Sequence, residues 1–257
     1  MFQMPIALEP TIAVWMIAGS RVTGLLMVAP FLGSAAVPAR IKAGLAFLLT
    51  LFLVPQVPSL PALPTPALIV LLLGEFTIGL LLGFTLQLFF EAGQLAGQVC
   101  GVQMGYSLAS IINPDSQADS PVLSTFYELI VLLLFIQLSV PHWLLRGLAR
   151  SFAYLPPGNL SLTWPAVHAL LEFTAGMFVA GLQIAAPVLV ASLFADIALG
   201  FVGKASPQLP VLFVGISIKN LLGLALFCGA IAFWPRFFDA RFGHALEASE
   251  RILKLAH

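Results

Sequence analysis

Seven ionisable side chains stand inside apolar runs of this chain: Arg21, Glu75, Glu91, Glu128, Glu172, Asp196 and Lys219. Two kinds of chemistry are open to such a set, a path for protons or cations, or ion pairs that fix one helix against another. A charge turned to lipid at a helix centre costs about 2.5–3.5 kcal/mol, so each of these faces protein or water. Five acids outnumber two bases, so internal pairing neutralises two acids at most. The remainder need water, protonation, an interfacial position or a partner subunit. No two acids share the short broken-helix motif of an ion site, which favours the packing reading for each of the seven, Glu91 excepted. Glu91 is grouped with Arg21, Glu75, Asp196 and Lys219 as a buried polar contact but also belongs to a polar stripe, described below.

Other catalytic arrangements lack their spacing. His142, His168, His244 and His257 show no short metal-ligand interval, and no glycine-rich loop matches a phosphate cradle. Ser20, Ser107 and Ser151 have no His or acid at a hydrolase interval. We expect no catalytic residues, no metal, no cofactor and no enzymatic activity.

The elements that must position the charges are apolar helices. Hydrophobic residues make up 60% of the 257, charged residues only 9%, and the mean hydropathy is +1.03. Runs of about twenty apolar residues recur, long enough to cross a hydrocarbon core of about 30 Å. We therefore read an all-α multipass membrane protein with about six to seven long hydrophobic helices. The runs cover 11–32, 43–54, 67 to beyond 90, 122–140, 165–202 and 207–234. The fifth is too long for one ordinary crossing; either Pro187 kinks it or the helix projects beyond the bilayer. Five prolines in PQVPSLPALPTP make an extended connector, and PPGN at 156–159 makes a turn. Residues 236–257 mix charges with Phe237, Phe238, Ile252 and Leu255, which reads as an amphipathic tail on a single 1–257 domain.

Formal net charge is zero, so no nucleic-acid footprint and no strong polybasic membrane patch is read from it. The first ten residues, MFQMPIALEP, have no Lys or Arg, and no small-residue cleavage pattern follows, so no removable signal peptide is expected. Cys100 and Cys228 lie inside apolar runs and read as small core residues.

The segment 87–105 is the most patterned. Gln87, Glu91, Gln94 and Gln98 keep to one helix face by their 4, 3, 4 spacing. Gly93, Gly97, Gly101 and Gly105 recur every fourth residue, a row that lets another backbone approach closely. The polar stretch GVQMGYSLASIINPDSQADSP follows, with two Asp and no cation. If the glycine segment crosses separately, seven passes place eight Lys and Arg on one side against Lys204 opposite, which favours a cytoplasmic C-terminus; with six passes the bias shrinks, and a re-entrant hairpin stays open.

At this stretch the sequence resembles a known family. Arg21, Gly24, Pro30, Pro38 and Arg40; GEFTIGLLLGF; AGQVCGVQMGYSLA with the following NP and SP; SF with LPPG; and SPQLPVLFVGISIKNLLGL occur in the order seen in the FliR family. These are membrane components of the flagellar type III export gate, with counterparts in the injectisome. The VQMG form at 102–105 is similar to the flagellar branch. Asn113, Asp196 and Pro210 depart from the residues common at those places.

The resemblance implies a subunit of a helical, screw-like gate in the bacterial inner membrane at the flagellar basal body. FliP and FliQ are its implied partners, FlhB wraps the cytoplasmic side, and unfolded export substrates pass through the centre. It also implies that the loop after the glycine-rich helix, formed or supported by Met104, Gly105, Tyr106, Ile111, Ile112, Asn113, Pro114 and Pro121, plugs the pore. From the residues alone a solvated external turn accounts for the polarity equally well. A second reading of the whole chain is a secondary transporter for a small solute, with Glu91, Glu128 or Asp196 titrating with the coupling ion. That reading calls for two related halves with paired broken helices, and no such repeat is visible.

Overall fold

The computed structural model describes residues 9–30, 37–58, 64–106, 122–161, 163–208 and 210–255. Among these there are eight α-helices and no strand. They are α1 (Glu9–Val28), α2 (Ala39–Leu53, followed by a single 3-10 turn, Val54–Gln56), α3 (Thr65–Gln103), α4 (Val122–Gln137), α5 (Val140–Tyr154), α6 (Trp164–Ala205), α7 (Val211–Ile231) and α8 (Trp234–Leu255).

Five of these helices are long and apolar enough to cross a membrane, six if the broken pair α4 and α5 makes one crossing. The glycine-rich segment does not form a helix of its own. It continues the third apolar run as one helix of 39 residues, because nothing between 67 and 103 interrupts the backbone donors. The seven-pass arrangement falls away with this, while the charge count depends on α4 and α5: eight to one again if they fold back as a re-entrant pair, six to three if they cross. The fifth run forms one helix, α6, of 42 residues with Pro187 inside it. At 1.5 Å per residue these two helices are about 58 and 63 Å long, roughly twice a hydrocarbon core.

The chain divides into two compact units. The first comprises Met1–Leu88, Ser139–Thr174 and Phe242–His257; the second comprises Phe89–Leu138 and Ala175–Arg241. In the first, Ile17, Val22 and Leu25 of α1, Ile78 and Leu82 of α3, Leu148 and Phe152 of α5 and Leu253 of α8 form one buried cluster. Trp15 stacks on Phe47, ring centroids 5.9 Å apart, to tie α1 to α2.

In the second unit the core is aromatic. Tyr127 lies 4.8 Å from Phe227 and 5.0 Å from Trp234 between ring centroids, and Phe90 meets Phe135 edge-on at 5.6 Å. Such pairs add about 0.5–1.5 kcal/mol each beyond the area they bury. Cys100 is buried here and accepts a hydrogen bond from the Tyr127 hydroxyl at 3.4 Å. Cys228, however, is exposed on α7. An apolar run keeps a residue out of water without placing it inside its own chain.

The tail α8 is amphipathic, and its apolar face is spent on the protein. Trp234 and Phe238 are buried in the second unit, and Phe242, Ala245, Ile252 and Leu253 in the first. Elsewhere the surface is oily. Phe52 is 79% exposed, Leu133 66%, Phe201 73% and Leu221 73%, which only lipid or partner subunits can cover.

Candidate functional site

Arg21, on α1, is fully buried, and four chain segments meet at its guanidinium. Nε donates to Glu75 Oε2 on α3 at 2.7 Å, and Nη2 also lies 2.6 Å from that oxygen. Nη1 donates to Ser151 Oγ on α5 at 2.8 Å, and Nη2 to the Leu155 carbonyl at 3.0 Å. The guanidinium sits 3.9 Å over the Phe152 ring. The backbone of Gly158, in a left-handed turn at φ 88°, lies beside the Glu75 carboxylate. Only a planar fork of donors satisfies a carboxylate, a hydroxyl and a carbonyl at once while stacking on a ring. The scattered fragments Arg21, GEFTIG, SF and LPPG thus converge on one site.

The helices carrying this pair touch through backbone. A methyl group at Gly79 would collide with the Arg21 carbonyl and come within 2.8 Å of Leu25 N, and one at Gly83 would come within 2.7 Å of the Leu25 carbonyl. Gly24 meets Phe76 and Leu80 in the same way. Sequence reasoning passed over Gly79 and Gly83, although their four-residue interval repeats the signal used downstream.

The predicted glycine row serves α4 in the second unit. Gly93 packs on Val131, and a methyl group at Gly97 would collide with Ser124 Cα and lie 3.0 Å from the Leu123 carbonyl. Gly101 is buried. Gly181 on α6 makes a further close approach to Ala92, which the sequence pattern did not single out.

Gly105 does something different from the rest of its row. It has φ 87°, donates its N–H to the Val102 carbonyl at 3.1 Å, and is followed by Tyr106 N–H donating to the Gly101 carbonyl at 3.0 Å. That pair of bonds is the Schellman stop of an α-helix. α3 therefore ends at a glycine well before Pro114. Met104, 1% exposed, presses its thioether against Gly223 of α7, and Gly105 faces Ile216 of the same helix. Tyr106 is exposed. Ile111, Ile112, Asn113, Pro114 and Pro121 lie outside the described residues.

The second base takes the second acid. Lys219 Nζ on α7 contacts Asp196 Oδ1 on α6, but this pair is at the surface, with the two side chains 18% and 50% exposed. Glu91, Glu128 and Glu172 are exposed as well. Arg21 and Glu75 are thus buried within the chain, while Asp196 and Glu91 lie on its surface. Avoidance of lipid fixes what a carboxylate must not face and leaves open which surface covers it. Gln87 and Gln94 are half-buried and Gln98 exposed, so the polar stripe of α3 is a surface feature too.

Set beside known proteins, the sequence matches the family described as bacterial export proteins, family 1, over residues 12–245. The chain belongs to that family, in its FliR branch. It is 35% identical to the flagellar biosynthetic protein FliR of Escherichia coli strain K12 over 210 residues, 80% of this chain and 79% of that one. It is 30% identical to FliR of Pectobacterium carotovorum over 237 residues, 91% and 90% of the two chains. With FliR of Bacillus subtilis strain 168 it shares 31% identity over 207 residues, 77% and 78%. The family match thus spans the helices of the Arg21 site and the glycine seams alike.

Proposed function

We propose that this chain is a non-enzymatic subunit of the flagellar type III export gate in the bacterial inner membrane. With FliP and FliQ it forms a protein-conducting channel for unfolded flagellar substrates, with FlhB on the cytoplasmic side. The observation that carries this reading is the family match across residues 12–245, together with relatives named as flagellar biosynthetic proteins. Physical features support it. Two helices about twice as long as a bilayer is thick, and large apolar residues left open along most helices, suit a chain whose oily surface is covered by sister subunits.

In this reading the segment from Met104 to Pro121 is the plug. Its root is well suited to the task. The Schellman stop at Gly105 and the seat of Met104 on Gly223 end α3 at a defined point, from which a polar loop enters the lumen. With α3 and the α4–α5 pair each as one crossing, Arg146, Arg150, Arg236, Arg241, Arg251 and Lys254 share a side, and Arg40, Lys42 and Lys204 lie opposite. That distribution supports a cytoplasmic C-terminus.

The test is deletion of the gene in its native host followed by complementation. The intact chain restores secreted flagellin and motility. A strain that lacks the chain and still exports flagellin at the normal level refutes the assignment.

A further inference from the structure

Helix α5 is short and sharply two-sided. Val140, Leu148, Ser151 and Phe152 are buried, while His142, Trp143, Leu145, Arg146, Arg150 and Ala153 are exposed. At 100° per residue, Trp143, Arg146 and Arg150 fall within about 60° of one another, on the side opposite the buried face. The helix contains no acid. Arg146 holds its guanidinium 5.6 Å from the Trp143 ring centroid, and Trp143 is 50% exposed.

The end of α8 joins this face. Lys254 Nζ lies 4.6 Å over the Tyr154 ring, and the Thr163 hydroxyl donates to the Leu255 carbonyl. Glu250 reaches Arg150 only at 4.0 Å and leaves the Arg150 side chain 65% exposed, so the cation keeps room for a second anion. Next round α5 from Trp143, a shallow apolar cleft opens between Leu86 of α3, Val140, Leu144 and Gly147 of α5, and Phe242 and Ala245 of α8.

From this arrangement we infer that α5 is an anionic-phospholipid site: Arg146 and Arg150 bind the headgroup phosphate, Trp143 lies at the headgroup level, and the apolar lining of the cleft lies along the acyl chain. Exposed arginines beside a half-exposed tryptophan are what an interfacial helix presents to an anionic leaflet. The zero net charge of the whole chain conceals this local excess. A protein partner is the less suited occupant, because a bare tryptophan flanked by arginines over an apolar cleft matches a headgroup joined to a hydrocarbon tail. An acidic protein surface would leave that cleft empty.

The test is fluorescence of the full chain in nanodiscs of mixed phosphatidylglycerol and phosphatidylcholine, with one or the other lipid brominated on its acyl chains. The Trp143→Phe variant is subtracted to isolate Trp143 from Trp15, Trp164 and Trp234. We expect brominated phosphatidylglycerol to be enriched around Trp143 by roughly fivefold over brominated phosphatidylcholine at low salt. Arg146→Gln with Arg150→Gln abolishes the enrichment, whereas Arg146→Lys with Arg150→Lys keeps most of it. The wild-type comparison decides even where the glutamine variant fails to insert. Equal quenching by both lipids, enrichment that survives the glutamine variant, or a Trp143 reached by acrylamide and by neither lipid overturns the proposal. The last outcome would mark α5 as solvated or reserved for a protein partner.

Discussion

Arg21 and Glu75, 54 residues apart in sequence, meet at 2.7 Å with neither side chain more than 1% exposed. Ser151, Phe152, Leu155 and Gly158 complete the cage. One buried pair therefore fixes α1, α3, α5 and the turn after α5 in a single register.

Breaking that pair leaves an uncompensated buried charge. Arg21→Ala or Glu75→Ala is expected to cost about 3–5 kcal/mol. Arg21→Lys is expected to fall between these and the intact protein, since an ammonium cannot hold Glu75, Ser151 and the Leu155 carbonyl together or stack as well on Phe152. Thermal unfolding of the purified chain in detergent measures all three. A lysine variant as stable as the original would show that the fork geometry is not what the site requires.

The close helix approaches make a sharper contrast. Gly79→Ala drives a methyl into the α1 backbone and is expected to destabilise by at least about 1–3 kcal/mol. Gly176→Ala, with no atom within 4 Å of the added carbon, is expected to be neutral or to gain up to about 1 kcal/mol from helix propensity. Unfolding midpoints of the two variants, measured side by side, check the difference.

At the end of α3, Gly105→Ala forces an L-residue into left-handed backbone at a cost of about 1–2 kcal/mol and crowds Ile216. The expected result is a small loss of stability with a larger loss of closure. Cells carrying the variant in an assembled gate should admit small solutes that the intact gate excludes, and solute uptake in a strain otherwise sealed is the readout.

For the surface pair, Asp196→Lys alone and Lys219→Asp alone each place like charges together, and the double exchange restores attraction. In detergent the coupling should be only about 0.2–1 kcal/mol, as for exposed pairs. A coupling several times larger in the co-assembled state would show that a partner subunit covers the pair.

Much of this was legible in the sequence because it depends on composition and short intervals. The apolar runs gave the helices, the PPGN turn lies where its residues dictate, and Gly93 and Gly97 do meet a neighbouring helix. What was not legible depends on contacts across the chain. Hydropathy cannot tell which of five acids Arg21 selects, because Ser151 and Leu155 are 130 and 134 residues away from it. Nor does it separate a glycine that packs from one that stops a helix. Gly105 continues the four-residue interval of Gly93, Gly97 and Gly101, yet its positive φ ends α3, and only the backbone geometry reveals the difference. The exposure of Asp196, Glu91 and Cys228 follows from the same limit: apolar surroundings are shared by residues facing their own chain, a sister subunit and lipid.

The central claim is that this chain is a part of a larger channel. Native mass spectrometry of the chain co-expressed with FliP and FliQ from the same genome tests it most directly. The account predicts a mixed complex in which this chain is present beside several copies of its partners, with none of it released as a stable free subunit. A chain that stays alone or forms only a homodimer under those conditions would contradict the account and turn attention to ion-coupled transport by the chain itself.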